Sequence, residues 1–424
     1  MSEAQELKKI RSLIDKVLTR REKTRRASAG TTVGVGWPVY DINEVDGALQ
    51  ALLELRISQG PRVKEFEQRF ASYVGKKYAV AVNSGSSANL VALTALMQAG
   101  KLKKGDEVIV PATTFATVAS PVLQLGLVPV YVDVEKDTWN LDPLGVAKAI
   151  RKKTKIIMAV HTFGNPAKMR EIMAIARRHK ALVLEDCCEA HGARIGKKVV
   201  GSFGDMATLS FFVAHNITTG EGGMIFTDDK VLYDILTSVR EFGRVTVPME
   251  RFGYKDKYLG NYDARYLFTR LGYNVRMTDI AAALGLAQLK KLDKLNAKRI
   301  SIVKQYQKGL APYATFLILP QVRPGTFHSF YGYPFVIKKD APFMRQELVD
   351  FLESRGIETR PFFGGNLPDQ PAFRHEPKRV AGVLPVAKFL REQSIFIGCH
   401  PELSQKQVAH VLAAFADFFK SRAR

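Results

Sequence analysis

Cysteine is scarce in this chain. Three residues among 424, Cys187, Cys188 and Cys399, exclude a disulfide framework and fit a reduced, cytoplasmic setting. No run of about 18 apolar residues occurs, so no membrane-spanning helix is expected. The N-terminus lacks the charged-then-apolar order of a signal peptide. There is no internal repeat, no low-complexity tract and no nucleic-acid-binding motif. Zinc-ligand spacing, a Walker-type loop and a Ser-His-Asp spacing are also missing. Acid is in short supply too: 41 Asp and Glu stand against 63 Lys and Arg, a net charge of +22.

What is present is enough for a large core. With 46% hydrophobic residues, 424 residues suit one large and one smaller domain. Residues 1–26 hold nine basic and four acidic side chains, with Leu7, Ile10, Ile14 and Val17 at helical spacing. They read as a basic amphipathic helix, either packing on a subunit or drawing in a polyanionic metabolite such as a nucleotide sugar. A Gly- and Thr-rich linker is expected at 29–36. Strands and helices then alternate, with short apolar runs at 78–82, 107–110, 128–134, 156–160 and 182–184. That alternation predicts an α/β domain with a mostly parallel central sheet. Further strands are expected at 208–212 and 223–226. A helix over 277–295, N-capped by Thr278, continues to about 310. The remainder reads as a smaller C-terminal α+β domain, with strands at 329–337, 356–361 and 394–397 and helices at 344–354 and 405–419. The expected division is an arm and linker at 1–38, a large domain at 39–295 and a small one at 296–424.

The chemistry concentrates in a few places. Ser84-Gly-Ser-Ser87 stands between a strand and a helix, either as a phosphate cradle of backbone N–H groups or as an ordinary helix cap. Asp186 closes the strand ending Leu184-Glu-Asp, where ligands bind in open parallel sheets. It can pair with a protonated heteroaromatic nitrogen or cap the next segment. Glu189 lies three residues on. Phe115 is either a stacking partner for a flat ring or a core residue. In Ser210-Phe-Phe-Val-Ala-His-Asn-Ile-Thr-Thr-Gly-Glu-Gly-Gly223, an apolar strand, a polar turn and a glycine reversal enclose His215. Imidazole, with an unperturbed pKa of about 6.5, suits acid/base work at neutral pH.

Several motifs in one order resemble the DegT/DnrJ/EryC1/StrS sugar aminotransferases, which are fold-type I pyridoxal-phosphate (PLP) enzymes. They are Asn83-Ser-Gly-Ser-Ser-Ala-Asn-Leu90, His161-Thr-Phe-Gly-Asn-Pro166, Gly272-Tyr-Asn-Val-Arg-Met277, Gly364-Gly-Asn-Leu367 with Gln370-Pro371, and Phe396-Ile-Gly398 with His400-Pro401. The resemblance runs from about Val39 onward. It implies a large domain with a mostly parallel sheet and a homodimer with shared active sites. By it, Ser86, Ser87 and Ser210 hold the cofactor phosphate, and Asn274 reaches it from the neighbouring subunit. Asp186 pairs with the pyridine nitrogen, Phe115 stacks on the ring, and Glu189 lies near the ring hydroxyl. Arg244, Arg276, Arg360 and Asn366 are expected at the substrate's diphosphate and sugar, each otherwise a surface or structural residue.

Within the family the chain resembles the 3-dehydrases of nucleotide-linked 4-keto-6-deoxyhexoses. Histidine stands where aminotransferases place the lysine that binds PLP, and Glu189 stands where they usually have glutamine. The CDP-sugar member of that branch carries cysteines for a [2Fe–2S] cluster, two of them just after a Gly-Arg pair. Here Gly243-Arg244 continues as Val-Thr-Val-Pro-Met-Glu250, and three cysteines cannot supply four thiolates. The expectation is therefore C3 deoxygenation with non-covalent pyridoxamine phosphate (PMP) or PLP. His215 is expected as acid and base, L-glutamate as amino donor, and neither an iron–sulfur cluster nor any other metal takes part. Neither nucleic acid nor membrane is expected as a partner. A nucleotide-sugar aminotransferase and a non-catalytic binding homologue are the alternatives.

Overall fold

The structure is a computed structural model and describes residues 2–28, 30–245 and 266–422. Residues 246–250, which follow the Gly243-Arg244 pair, lie outside the described residues. Among the described residues, no helix is long and apolar enough to cross a membrane.

The short apolar runs become strands β1 Tyr78–Val82, β2 Glu107–Pro111, β3 Val128–Val132, β4 Thr154–Val160 and β5 Leu182–Asp186. Nearly all their residues are buried, which explains their lack of polar alternation. A small hairpin, β6 Arg194–Ile195 with β7 Lys198–Val199, leads to β8 Met206–Ser210 and β9 Gly223–Thr227. Later come β10 Leu317–Ile318, β11 Thr326–Phe327, β12 Tyr333–Ile337, β13 Thr359–Arg360, β14 Arg379–Val380 and β15 Ser394–Ile397. The large sheet has the order β1-β9-β8-β5-β4-β2-β3-β14, and a second sheet the order β10-β12-β15-β13. In the large sheet only β9 runs antiparallel to its neighbours; every other pairing is parallel. The expected α/β fold with a mostly parallel sheet is therefore present. Its parallel strands bring their C-terminal ends to one edge.

Helices pack on both faces. They are α1 Glu3–Ser28, α2 Ile42–Leu53, α3 Pro61–Val74, α4 Gly85–Gln98, α5 Ala116–Gln124, α6 Pro143–Ala149, α7 Met169–His179 and α8 Lys230–Arg240. Then follow α9 Asp279–Leu289, α10 Leu292–Leu310, α11 Arg345–Ser354, α12 Pro385–Gln393 and α13 Gln405–Lys420. One core joins the sheet to α4, α5 and α8, and another joins α10, α11 and α13 to β12 and β15. On these separate cores we propose the division into 39–295 and 296–424. Helix α10 crosses that boundary, and β14 returns to the large sheet.

Three details differ from expectation. The stretch read as a linker is tied down: Val33 is fully buried, its N–H bonds the Gly356 carbonyl at 2.8 Å and its carbonyl accepts from Glu358 at 2.8 Å. The helix expected to run unbroken from 277 breaks between α9 and α10. There Lys291 turns inward and its Nζ meets Glu44 at 2.7 Å and Asp41 at 2.7 Å. The strand expected at 329–337 begins only at Tyr333, because Phe330 adopts φ 48° and stacks on His328 at 3.5 Å between centroids.

Helix α9 approaches α3 closely because Gly285 has no side chain: a Cβ there would stand 2.5 Å from Phe66 Cζ. Gly285→Val should therefore destabilise the protein by about 1–3 kcal/mol through overpacking, read as a lower urea midpoint. An unchanged midpoint would contradict this packing.

Candidate active site

The C-terminal edge of the large sheet opens into a cavity of about 640 Å³. Ser84, Gly85 and Ser86 line it after β1, Thr114 and Phe115 after β2, and Val160 at the end of β4. Asp186, Cys188 and Glu189 line it after β5, and Ser210 and His215 after β8. Tyr331, Arg360, Phe363 and Phe396 close it from the C-terminal side, and Val35 from the tied-down N-terminal stretch. Among the described residues, no lysine lines this cavity.

One end is built to receive an anion. Ser84 caps α4, its Oγ accepting the Ser87 N–H at 3.1 Å, so the helix points its first-turn N–H groups at the cavity. Only glycine permits the packing around it. A Cβ on Gly85 would stand 2.5 Å from Ser210 Cβ, and one on Gly223 2.2 Å from the Ser84 carbonyl oxygen. Ser86 is exposed to the cavity, and Ser87 lies one position deeper.

Asp186 is almost fully buried at the end of β5. Asn89 Nδ2 donates to its Oδ2 at 2.9 Å, and the Cys188 N–H donates to Oδ1 at 3.0 Å. The Thr208 hydroxyl donates to Asn89 Oδ1 at 2.8 Å and so orients that amide. Asp186 thus both caps the following turn and keeps lone pairs for a ligand donor. Asn89 was missed in the sequence as a separate contributor. Its signal was an amide at the head of the apolar run Leu90-Val-Ala-Leu93, where a buried side chain demands a partner.

The Glu189 Oε2 accepts the Phe163 N–H at 2.7 Å. Burial pushes its carboxyl up to about 8, with Asp186 adding to the rise and the Phe163 N–H opposing it. At neutral pH it carries its proton and can donate a hydrogen bond.

The turn after β8 positions His215. Its main-chain N–H bonds the Phe212 carbonyl at 3.0 Å, while Phe211 pairs with Gly222 and Thr219 to close the loop. The ring lies 2.9 Å from the Ser210 carbonyl through Nδ1. A carbonyl only accepts, so Nδ1 carries the hydrogen and Nε2 keeps a free lone pair. Burial pushes the imidazole down to about 4; the Ser210 carbonyl and Asp186 oppose that, and Arg299 adds to it. His215 is therefore a neutral base at neutral pH. The rings of His191 and Tyr331 flank it at 5.7 and 5.3 Å between centroids.

Of the expected residues, the cavity brings together Ser86, Phe115, Asp186, Glu189, Ser210, His215 and Arg360. Ser87, Asn274, Arg244, Arg276 and Asn366 do not line it. Asn274 is exposed and its Oδ1 accepts from Arg276 Nε at 3.2 Å. The Arg276 guanidinium lies 4.9 Å from the Phe242 ring centroid, and Arg244 lies 5.9 Å from the same ring. Asn366 is almost fully buried, with Nδ2 donating to Asp369 at 2.7 Å.

A second cluster of ligand-type side chains lies beneath the site. His161, Glu185 and Cys187 place their donor atoms within 4.8 Å of one another. The lone pairs of His161 and Glu185 are already engaged. His161 Nδ1 accepts the Ala167 N–H at 3.0 Å and Nε2 donates to Glu185 at 3.1 Å. Glu185 also accepts the N–H groups of Gly201, Phe203 and Gly204. The cluster ties β4 and β5 to the loop before β8.

The sequence profile of the DegT/DnrJ/EryC1/StrS aminotransferase family matches residues 40–416. A dTDP-4-dehydro-2,6-dideoxy-D-glucose 3-dehydratase of Saccharopolyspora spinosa is 37% identical over 414 residues, covering 94% of this chain and 89% of its own. A GDP-4-keto-6-deoxy-D-mannose 3-dehydratase of Yersinia pseudotuberculosis is 36% identical over 373 residues, covering 86% and 92%. A solved GDP-4-keto-6-deoxymannose-3-dehydratase with a trapped PLP-glutamate geminal diamine superposes with a TM-score of 0.83 at 32% identity, over 90% of this chain and 99% of that one.

The buried rings make stability depend on pH. Burial holds His191 well below the ordinary 6.5, His215 at about 4, and His328 and His400 at about 3. Between about 6.5 and those values the unfolded chain binds more protons than the folded one, so stability falls as pH falls. The urea midpoint should be lower at pH 5 than at pH 7, and a midpoint that rises on acidification would contradict the neutral rings.

Proposed function

The chain belongs to the DegT/DnrJ/EryC1/StrS aminotransferase family, and on that premise we propose that it removes the C3 hydroxyl of a nucleotide-linked 4-keto-6-deoxyhexose. The observation that carries this reading is His215, a neutral imidazole with a free Nε2 in a cavity that no described lysine lines.

The residues present fit PMP or PLP held without a covalent bond. The glycine-packed first turn of α4, with Ser86, Ser87 and Ser210, suits a phosphate, and Asp186 with its spare lone pairs suits a protonated pyridine nitrogen. Phe115, exposed at the mouth, is placed to stack on a flat ring. Protonated Glu189 is suited to donate to a ring oxygen. When bound, the cofactor supplies an amine for the C4 ketone and an electron sink for the displaced pair. With the cofactor bound, His215 Nε2 would be the base for the proton on the carbon that bears the cofactor's amine, and as imidazolium it would be the acid for the departing C3 hydroxyl. Because burial disfavours that imidazolium, it is a ready acid for the second step. The product would be a 4-keto-3,6-dideoxy sugar, the amine nitrogen leaving as ammonia, and L-glutamate would supply the replacement nitrogen. Nothing in this scheme calls on an iron–sulfur cluster, and the chain's three cysteines are fewer than four thiolate ligands.

Asn274 is exposed and does not line its own cavity, and it is assigned to a second copy's phosphate in a homodimer. The exposed apolar run Leu52, Leu53, Leu55 and Ile57, which leads to Ser58 and its 2.8 Å bond from the Asp279 N–H at the start of α9, offers an interface. Arg360 is assigned to the nucleotide diphosphate, with Arg244 and Arg276 as further contacts. Asn366, which does not line the cavity, is assigned with these arginines to the substrate's diphosphate and sugar.

Incubation with PMP, L-glutamate and 4-keto sugar nucleotides tests the reaction. Ammonia release with a 3-deoxy product is expected; an amino sugar would establish a transferase, and no turnover a binding homologue. His215→Asn should lower kcat by about 10²–10⁴-fold. His215→Lys should give a covalent cofactor adduct after borohydride reduction, and a folded variant without one would contradict the placement of His215.

A further inference from the structure

Behind the turn that carries His215 lies a buried cation without a counterion. Arg299 of α10 is 1% exposed, and no carboxylate pairs with it among the described residues. Its Nη1 donates to the Tyr331 carbonyl at 2.9 Å and to that of Phe330 at 3.4 Å, and its Nη2 reaches the His215 carbonyl at 3.5 Å. One turn earlier on the same helix face, Asn296 Nδ2 donates to the His191 carbonyl at 2.8 Å, and its Oδ1 accepts from Asn216 at 2.8 Å. Asn216 in turn donates to the Ser329 carbonyl at 3.0 Å. Residues three apart on a helix share one face, so α10 presents a two-residue clamp. It grips the His191 and His215 segments on one side and the 329–331 segment on the other.

A buried guanidinium that meets main-chain carbonyls and the Cys399 thiol, with no carboxylate beside it among the described residues, carries a large desolvation cost that no ion pair offsets. Methionine or leucine would fill such a slot more cheaply. We propose that Arg299 is a positioning residue for the His215 base: it fixes the main chain of His215 and Tyr331 across the cavity, and its positive charge adds to the burial that disfavours a proton on the ring. The inference rests on the dehydration reading for its purpose, but the state of the ring is independent of turnover.

Several charged or titratable groups surround that ring. Asp186 reaches it from the end of β5, Glu189 and His191 from the loop after β5, and Glu221 from the reversal before β9. Tyr331 and Arg360 approach from the C-terminal side. Asp186 favours the protonated ring and Arg299 disfavours it. Arg299 is the cation among these that touches the His215 main chain.

The test is the titration of His215 in full-length protein labelled with ¹³C at histidine Cε1, the His215 signal being identified by its loss in His215→Asn. Arg299→Met removes the charge while keeping an apolar stem, and should raise the midpoint of His215 by about one unit. Arg299→Lys keeps the cation and should leave that midpoint low. Thermal unfolding identifies which variants are folded. If only the lysine variant folds, a midpoint raised toward 6.5 overturns the proposal and a low one supports it. A folded Arg299→Met with the wild-type midpoint also overturns it, since a merely structural arginine would change stability without moving this signal. A failed dehydration assay with the expected titration would leave the Arg299 assignment standing and sink the reaction instead.

Discussion

The hydrogen bond from His215 Nδ1 to the Ser210 carbonyl is the interaction on which the site depends. It decides the tautomer, and through the tautomer it decides that Nε2 has a lone pair to offer. The acceptor is a main-chain atom at the end of β8, where Ser210 is paired with Gly223 of β9. The position of the base is therefore inherited from the sheet register instead of from a flexible side chain. The close packing of Gly85 and Gly223 against Ser210 and Ser84 locks the anion end to the same strand ends. Anion cradle and base are parts of one rigid piece.

Around this piece the electrostatics divide the labour. Burial drives two titratable groups in opposite senses: the His215 imidazole loses its proton and the Glu189 carboxyl keeps one. Both are neutral in the resting site at neutral pH, one as acceptor and the other as donor. Asp186, held by Asn89 and the Cys188 N–H, supplies a fixed carboxylate between them. An amine at the position of His215 would add a nucleophile for the cofactor's carbonyl carbon. Imidazole provides a base without that competing bond. This contrast separates removal of an oxygen from transfer of a nitrogen on a shared scaffold.

Much of this was legible in the sequence. Buried parallel strands announce themselves as short apolar runs, and Tyr78–Val82 and Ser394–Ile397 have the bounds their patterns predict. Asp186 followed from its strand end and His215 from its place before a glycine reversal, while Ser210 followed from the family resemblance. Tertiary effects were not legible. Val33 reads as linker but is buried by pairing with residues more than three hundred positions away. The break between α9 and α10 depends on Lys291 finding Glu44 and Asp41. Arg299 is one of many basic residues in a chain of net charge +22, and nothing local marks it as the buried one.

The central claim, that the His215 imidazole moves the proton at the cofactor's C4′ carbon, is tested most directly by isotope exchange. Protein loaded with PMP deuterated at C4′ is mixed with a 4-keto sugar nucleotide in ordinary water, and the label remaining at that carbon is followed by mass spectrometry. Loss of one deuteron in the wild type and retention of both in folded His215→Asn is the predicted result. Equal loss in the two proteins would show that another group carries the proton and would contradict the account.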